Sequence, residues 1–375
     1  MRTGKSVYMQ KSDKICWREA FGYAGAFIAC LTGSGFATGQ EILQYFVAYG
    51  RKGFLVSVTM AVLFAGIGIC FIRGGKRENF SNNSEIFHYY CGPYIGAFYR
   101  VFSPLFIFMS YVVMVAGAGS TLQQQYHVSE KIGCVCMMAA VCITAQSGFH
   151  SIIKIIQKIG PVIAGLAVLL GGISFFSSPE ELLKNMADIA SGTIQMNQVG
   201  NNWFSSTCSY VGFCVLWLAG VLTAIGKNAF SGATGIWGVS MGSVGFTFSC
   251  TAMMVGLLAV LPQVKDAEIP ALILAVRVAP GLAYLLSISI FIGIYSAAVP
   301  LLWQASSTFA KEGSKNYRVA TVILAVLGAG IALLFPFSTL VNAIYGVSGY
   351  IGIVFAIFVV KKELGIFLAE KNSSM

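Results

Sequence analysis

The sequence has few charged side chains, few histidines and few prolines for its length. Of 375 residues, 14 are acidic and 24 are Lys or Arg, so only 10% are charged, whereas about a quarter of the residues in a soluble domain are charged. The three histidines, His88, His127 and His150, lie far apart without the spacing of metal ligands. The ten cysteines form no C-x-x-C pair, and no phosphate-binding loop is present. These absences argue against a soluble enzyme, a metal centre and an ATP-driven pump.

Long apolar segments take up most of the chain instead. The hydrophobic share is 57% and the mean hydropathy is +0.77, and apolar runs of about 20 residues recur, as in membrane helices. We predict an all-α, polytopic membrane protein without a cleaved signal peptide, and a single transmembrane domain over residues 1–375. About ten transmembrane helices are predicted at 17–49, 53–73, 94–122, 131–149, 152–176, 204–225, 233–261, 280–309, 317–335 and 337–360.

The basic residues predict the orientation of these helices. If both termini are cytoplasmic, the outer segments contain few Lys and Arg, as the positive-inside rule requires. The basic residues that remain outside are Arg51, Lys52, Lys131, Lys184, Lys265 and Arg277. The net charge of +10 then reflects cytoplasmic loops that face anionic lipid, and no segment resembles a nucleic-acid-reading module. The expected partners are therefore the lipid bilayer and a small-molecule solute, not a nucleic acid.

The segment TGSGFATGQE, at 32–41, is unusual inside the first apolar stretch. Gly33, Gly35 and Gly39 weaken a helix, and hydroxyl side chains compete for its backbone hydrogen bonds. We predict that the first helix is interrupted between Thr32 and Ala37 and restarts by Thr38. Broken membrane helices are tolerated where protein or a cavity satisfies the freed backbone groups, and such breaks hold substrates and ions in transporters. Small-residue packing between helices is the competing interpretation of these glycines.

Glu41 is the one acidic side chain predicted to lie deep within a span. An ionisable group at that depth is costly and usually faces a cavity or a partner. Thr38 and Glu41 are three residues apart, so they share one helical face, and we expect that face to line a central cavity. The competing interpretation is a carboxylate that reaches water at the outer end of a tilted helix, because Tyr49 is only eight residues further on.

An inverted repeat would place a second break in the sixth span. We predict five-plus-five halves, at about 17–176 and 204–360, with helices 1 and 6 broken. Ser209, Tyr210 and Gly212 are the candidate interruption of helix 6, and Phe213 follows it. Helix 3 offers Tyr111, either as a substrate contact or as a packing residue.

The stretch GSGFATGQEILQYFVAYGRKGF, at 33–54, and RGGKRENFSNNSEIFHYYCGPY, at 73–94, resemble the YkvI-type membrane proteins. Those proteins are similar to distant members of the amino acid–polyamine–cation superfamily, which has the leucine-transporter fold. The resemblance implies a substrate site between helices 1, 3, 6 and 8, and often sodium coupling. In that superfamily a common sodium site uses carbonyl groups of the helix 1 break and two adjacent hydroxyl residues on helix 8. Here the corresponding residues are Leu31 to Ser34 and Ser296, but Ala297 replaces the second hydroxyl residue.

The function expected from these features is secondary transport of a small polar organic solute such as an amino acid, an amine or a betaine. Alternating access across the cytoplasmic membrane would be coupled to Na⁺ or H⁺, with no cofactor, and the chain would not be an enzyme. The expected substrate-binding residues are Gly33, Gly35, Thr38, Glu41, Tyr111, Ser209, Tyr210 and Phe213, and the expected cation-binding residues are Leu31, Ser34 and Ser296. A non-transporting sensor or a channel with the same fold is the alternative.

Overall fold

The computed structural model describes residues 14–78, 80, 83–146 and 150–373. In these ranges the secondary structure is helical, as predicted. Sixteen α-helices follow one another along the chain, and a 3₁₀ helix at Val47–Lys52 and a π-helical turn at Val341–Tyr345 lie between them. The helices are α1 Trp17–Leu31, α2 Ser34–Thr38, α3 Gln40–Tyr45, α4 Gly53–Glu78, α5 Asn83–Tyr126, α6 Glu130–Gln146, α7 His150–Ser177, α8 Pro179–Ala190, α9 Trp203–Asn228, α10 Gly232–Ala259, α11 Leu261–Val264, α12 Pro270–Val278, α13 Pro280–Ser307, α14 Lys315–Ala332, α15 Phe337–Leu340 and α16 Gly346–Ser373.

Seven helical segments in the described residues are long and apolar enough to cross a membrane: Val47–Glu78, Glu85–Tyr126, Trp203–Asn228, Gly232–Ala259, Pro280–Ser307, Lys315–Ala332 and Phe337–Glu370. An eighth is obtained if Pro161–Ser177 and Pro179–Ala190, which bend by 97° at Ser178, count as one span. The two remaining predicted spans correspond to the divided segment α1–α3 and to the 17-residue helix α6. The chain is therefore an all-α, polytopic membrane protein, as the sequence predicted.

The helix contacts follow the pattern of two inverted halves. The first span packs on the seventh through α1 and α10, and the second packs on the sixth through α4 and α9. The first also contacts the fifth through α1 and α7, and the sixth contacts the tenth through α9 and α16. If spans 1–5 are exchanged for spans 6–10, the 1–7 contact becomes the 6–2 contact and the 1–5 contact becomes the 6–10 contact, as a five-plus-five repeat requires. The repeat bounds at 17–176 and 204–360 stay predictions.

The first span is interrupted, as predicted, but the break lies earlier than expected and a second turn follows it. Helix α1 ends at Leu31, Thr32 and Gly33 are non-helical, and α2 already restarts at Ser34. Gly39 then adopts the left-handed conformation, with φ 82°, and separates α2 from α3. Because side chains with a Cβ rarely adopt that φ, the third glycine of the motif is required by the backbone itself.

The predicted break of the sixth span is wrong. Helix α9 continues without interruption from Trp203 to Asn228. Gly212 has a packing role instead: a Cβ at this position would lie 1.9 Å from the carbonyl oxygen of Gly349 in α16. Likewise, a Cβ at Gly352 would lie 2.0 Å from the carbonyl oxygen of Gly212. The small residues therefore let α9 and α16 approach with their backbones almost in contact, which is a common packing mode in membranes.

Candidate functional site

The interruption of the first span is held in place by helix α5. The backbone N–H of Ser34 faces the sulfur of Met114 at 3.4 Å, and a Cβ at Gly33 would lie 2.9 Å from the Met114 methyl carbon. One turn further along α5, a Cβ at Gly117 would lie 3.2 Å from the Cβ of Ser34. The glycines at both sides therefore permit close contact between the break and the third span.

The side chain of Glu41 folds back over Gly35. A Cβ at Gly35 would lie 2.1 Å from Glu41 Oε1 and 2.5 Å from its carboxyl carbon, so only glycine leaves room for the carboxylate. Glu41 is 2% exposed, and its Oε2 accepts a hydrogen bond of 3.0 Å from the hydroxyl of Tyr210 in α9. The carboxylate is thus buried between the first and sixth spans, so the alternative of a Glu41 that reaches water is not what the structure shows.

An aromatic cluster lies beside this carboxylate. We define it as Tyr45, Tyr210, Phe213, Trp217 and Tyr345, from the first, sixth and tenth spans. The rings of Phe213 and Tyr345 stack with centroids 4.7 Å apart, and Tyr210 makes edge contacts with Tyr45 at 5.1 Å and with Phe213 at 5.0 Å. Trp217 is perpendicular to Tyr345 at 5.3 Å. The π-helical turn that ends at Tyr345 brings this residue into the cluster, and such turns are frequent at functional sites.

Several polar atoms in this region are buried and have no hydrogen-bond partner among the described residues. They are the hydroxyl groups of Ser34, Tyr45 and Tyr345 and the indole N–H of Trp217. Tyr345 faces Ser34 and Tyr45 faces Ser209, in each case outside hydrogen-bond geometry. Ser34, Tyr45 and Tyr345 are fully buried, with 0% exposure. Leaving such groups unpaired costs about 1–3 kcal/mol each, so a region that collects four of them is a candidate binding site.

The polar groups of the other predicted substrate residues bond to the protein backbone. Thr38 is buried, but its hydroxyl donates to the Gly35 carbonyl at 3.2 Å and accepts from the backbone N–H of Gln40. Ser209 donates to the carbonyl oxygen of Gly346 in the tenth-span region. Tyr111 is not brought to the aromatic cluster, because its hydroxyl donates to the Ala325 carbonyl in α14 at 3.4 Å. The structure therefore groups Gly33, Gly35, Glu41, Tyr210 and Phe213 and leaves Tyr111 apart.

The predicted cation-binding residues lie on neighbouring elements. Leu31 and Ser34 flank the break, and helix α13, which carries Ser296, contacts α2. The Ser296 hydroxyl donates to the Gly293 carbonyl at 2.8 Å, so the lone pairs of its oxygen stay available to a cation. Ala297 offers no second oxygen beside it. A cation site at Leu31, Ser34 and Ser296 stays a prediction.

Sequence reasoning left Met114, Trp217 and Tyr345 outside the predicted site. Tyr345 had a signal in the sequence, because Asn342, Tyr345 and Ser348 form a polar stripe on the tenth span. Trp217 follows Phe213 by four residues, so the two share a helical face, and their rings contact at 5.2 Å. Met114 had no such signal, since an apolar side chain at this point of α5 is typical of an ordinary core.

The side predicted to face outwards is closed over the break by the segment between α10 and α13. The amide of Gln124, at the end of α5, donates to the Ile269 carbonyl at 2.8 Å and accepts from the Ile269 N–H at 2.9 Å. The preceding residue, Glu268, accepts two hydrogen bonds from Ser338, from its backbone N–H at 2.7 Å and from its hydroxyl at 2.8 Å. Helix α12 contacts both α2 and α3. We call the Gln124–Ile269 and Glu268–Ser338 contacts the outer ties.

A depression of about 480 Å³ lies beside the outer ties. Its lining is polar, with three glutamines and two carboxylates: Gln123, Gln124, Gln263, Asp266 and Glu268. A second depression of about 230 Å³ shares Gln123 and Glu268 with it and includes Glu130. Asp266 pairs with Lys265 at 3.1 Å, and Glu268 and Glu130 are the other carboxylates that line the two depressions.

The opposite side is closed by a polar network between α4, α5 and α16. The guanidinium of Arg77 contacts both oxygens of Glu363, at 2.6 and 3.3 Å, and donates to the Tyr89 hydroxyl at 2.8 Å. The Tyr90 hydroxyl donates to the same carboxylate at 3.2 Å. A Cβ at Gly74 would lie 1.9 Å from this hydroxyl, so the glycine leaves room for Tyr90. We call these contacts the inner tie. Glu41 thus lies between two closed ends.

Comparison with known proteins gives two relatives of similar length. The chain is 23% identical over 351 residues to the uncharacterized membrane protein YkvI of Bacillus subtilis (strain 168), covering 92% of this chain and 96% of that protein. It is 24% identical over 352 residues to the uncharacterized protein YyaD of the same organism, covering 90% and 95%. No family model matches the chain.

Solved structures share the fold at low sequence identity. The structure of MhsT in complex with L-phenylalanine aligns with a TM-score of 0.61 and 14% identity, over 90% of this chain and 87% of that one. A mutant form of the manganese transporter of Eremococcus coleocola aligns with a TM-score of 0.53 and 12% identity, over 91% and 78%. The resemblance to the YkvI-type membrane proteins, with the leucine-transporter fold that it implied, is thereby confirmed along nearly the whole chain.

Proposed function

We propose that the chain is a secondary transporter that moves a small polar organic solute across the cytoplasmic membrane by alternating access, coupled to Na⁺ or H⁺. The observation that carries the proposal is the interrupted first span, whose restart holds the buried carboxylate of Glu41 against Tyr210 of the sixth span. Interrupted helices at the interface of two repeats hold substrates and coupling ions in transporters of this kind. The termini are proposed to be cytoplasmic, from the distribution of basic residues.

The contents of the site favour an organic solute over a metal ion. Both kinds of cargo occur among the structural neighbours, since one is a manganese transporter and another was solved with L-phenylalanine. Among the described residues of this chain, no group of three or more His, Cys, Asp and Glu side chains could hold a metal ion. Glu41 instead accepts a hydrogen bond from Tyr210, whose ring packs on Tyr45 in the aromatic cluster, and aromatic side chains suit an organic molecule.

Two coupling ions are compatible with the arrangement. A sodium ion would use Leu31, Ser34 and Ser296, with one side-chain hydroxyl fewer than the resemblance implies because of Ala297. A proton would be carried by Glu41, the buried carboxylate at the break. An ion lends its gradient to uptake only if it crosses the membrane together with the solute, so the coupling ion is identified by flux and not by binding alone.

Uptake of labelled amino acids, amines and betaines into proteoliposomes tests the proposal. Concentrative uptake that disappears when either the sodium or the proton gradient is collapsed is the expected result. Flux that ignores both gradients, each collapsed separately, would contradict ion coupling. Ligand binding without any flux would instead favour the sensor alternative.

Two variants separate the coupling ions. If sodium drives transport, Ser296→Ala removes one of few side-chain oxygens and raises the sodium concentration needed for half-maximal uptake. If a proton drives transport, Glu41→Gln abolishes uptake driven by a pH gradient and leaves solute exchange partly intact. A Glu41→Gln protein that binds and transports like the parent at every pH would remove Glu41 from the site.

A further inference from the structure

We infer that the Glu41 carboxylate and the aromatic cluster together form a binding site for an organic ammonium cation that has no carboxylate of its own. The inference deepens the proposed function and rests on it in one respect, namely that the Glu41 region is where the solute binds. Three observations carry it: the charge of the site, the arrangement of its rings and its unpartnered polar atoms.

The charge of the site has one sign. Among the described residues outside 83–84, 150–160, 371 and 373, Glu41 and Glu363 are the only charged side chains that are buried, and Glu363 is paired with Arg77. No buried Lys, Arg or His accompanies Glu41 in that part of the chain. A cationic solute would therefore supply the missing countercharge, while an anionic group would add a second negative charge in a low-dielectric environment.

The carboxylate of an amino acid would find poor support at the break. The first amide of α2, from Ser34, faces the sulfur of Met114. The next amide belongs to Gly35, over which the Glu41 carboxylate folds, so a second carboxylate there would meet a like charge. Helix α2 has only five residues, so it has little dipole to offer an anion. The site should therefore prefer an amine to a zwitterionic amino acid. Both contain an ammonium group, but only the zwitterion also requires an anion site.

The rings supply the second half of a cation site. In the aromatic cluster, the centroids of contacting rings lie 4.7–5.8 Å apart, and one of these rings, Tyr210, donates to the carboxylate. Aromatic faces attract ammonium ions, most strongly when several rings surround the ion and water is excluded. The rings contact one another in this closed structure, so a ligand enters by separating them as the ends of the protein open.

The unpartnered atoms distinguish this cluster from ordinary aromatic packing. Other buried tyrosines in the chain have their hydroxyl groups satisfied: Tyr99 donates to Ile351 and Tyr317 donates to Ala145. The hydroxyl group of Tyr45 faces Ser209 and that of Tyr345 faces Ser34, but among the described residues neither has a partner in hydrogen-bond geometry, although both side chains are fully buried. A ligand with a hydroxyl group or an N–H group would pair with these atoms, so the preferred solute is a small amine or amino alcohol.

Calorimetry on the purified full-length protein tests this inference with defined probes. The probes are choline, methylammonium, glycine betaine as a zwitterion, and 3,3-dimethylbutan-1-ol, which has the shape of choline without the charge. We expect at least one of the two cations to bind, and to bind at least tenfold more tightly than the neutral isostere and more tightly than glycine betaine. An isostere or glycine betaine that binds as tightly as the better of the two cations, or no binding of either cation, would overturn the inference.

Variants assign the binding to this site. Glu41→Gln keeps the shape and removes the charge, and Phe213→Leu removes a ring; each should weaken cation binding by about three- to thirtyfold. Phe87→Leu is the matched control, because Phe87 is equally buried but stacks on Tyr99, outside the cluster. If Phe213→Leu does not fold, Glu41→Gln and Tyr45→Phe, which keep the side-chain volumes, provide the test. Cation affinity that is unchanged in Glu41→Gln would overturn the assignment.

The outcomes also separate this inference from the proposed function. Cation binding at this site without flux in proteoliposomes would contradict transport and leave the site standing. Ion-coupled flux of an amino acid, with no binding of either cation, would leave transport standing and remove the ammonium site.

Discussion

At the scale of single residues, Gly35 determines where the carboxylate of Glu41 can lie. A Cβ at position 35 would overlap Glu41 Oε1 and Cδ, at 2.1 and 2.5 Å, but these atoms belong to a flexible side chain that can turn away. We therefore expect Gly35→Ala to fold and to lose most ligand binding and uptake, because the carboxylate is displaced from Tyr210. Uptake and the thermal unfolding temperature, measured on the same preparation, distinguish displacement from unfolding.

Gly22→Ala is the control for this substitution. Gly22 lies on an exposed part of α1, where a Cβ meets nothing within 4 Å, so uptake should stay as in the parent protein. A Gly35→Ala protein with parental uptake would show that the position of the Glu41 side chain does not matter.

Among the described residues, Tyr210 donates the one side-chain hydrogen bond to Glu41. Tyr210→Phe keeps the ring and removes this donor, so the negative charge of Glu41 loses support. Hydrogen bonds to charged groups are worth about 1.5–3 kcal/mol, although in membranes measured values average nearer about 0.6 kcal/mol. We expect the half-saturating concentration of the coupled ion or solute to change by about three- to a hundredfold.

Tyr99→Phe is the comparison, because Tyr99 is also a buried tyrosine with a single hydrogen bond, to the Ile351 carbonyl. It should lower thermal stability slightly and leave the kinetic constants of uptake unchanged. Equal kinetic effects of the two variants would mean that Tyr210 acts only through packing.

The sequence pointed to Glu41 because a carboxylate deep in an apolar segment is rare and costly. It could not point to Met114 or give Tyr345 a role beside Glu41. Their contacts with the break and the cluster join segments 80 or more residues apart, and only the folded arrangement brings them together. Tyr111 shows the converse: its polarity suggested the site, but its hydroxyl is used by α14.

At the scale of elements, glycine in an apolar helix has two meanings that sequence alone does not separate. In the first span, three glycines and neighbouring hydroxyl residues predicted a break, and Thr32, Gly33 and Gly39 form it. In the sixth span, Gly212 with Ser209 and Tyr210 predicted a break, and α9 is continuous. The difference lies in the partner, since Gly212 faces Gly349 of α16, which is far away in the sequence.

Gly212→Ala tests this packing role. The added Cβ would meet the backbone of α16 at 1.9 Å, and a backbone cannot turn aside as a side chain can. We expect α9 and α16 to separate, with a loss of stability of about 1–3 kcal/mol or more. The thermal unfolding temperature in detergent is the measurement. Gly66→Ala is the control, because a Cβ at Gly66 meets nothing within 4 Å; equal unfolding temperatures for both variants would contradict the packing role.

Span positions were more predictable than the details within them. Apolar length and turn residues suffice to find membrane helices, and the long helices α4, α9, α10 and α13 lie close to their predicted ranges. The apolar periodicity did not show the sharp bend of 97° at Ser178 or the π-helical turn before Gly346. The bend has a local cause instead, because Pro179 disfavours helical geometry at the residue before it.

At the scale of the whole molecule, Glu41 lies between ends that are both closed. The outer ties join α5, the segment before α12 and the start of the tenth span. The inner tie joins the ends of α4 and α16 to the beginning of α5. A transporter that works by alternating access must open these ends one at a time. The two sets of polar contacts are therefore expected to be energetically coupled, each favouring closure of its own side.

Hydrogen–deuterium exchange on the full-length protein measures this coupling directly. Arg77→Gln removes the cation of the inner tie, so exchange should rise at 72–78 and 359–366 and fall at 265–279, because molecules that open inwards keep the outer ties closed. Glu268→Gln weakens the acceptor of both Ser338 hydrogen bonds, so exchange should rise at 265–279 and fall at 72–78. A rise in exchange at one end together with a fall at the other distinguishes coupling from general destabilisation. A variant that merely loosens the fold would raise exchange at both ends. If each substitution raises exchange on both sides, the ties are local supports and alternating closure at these contacts is refuted.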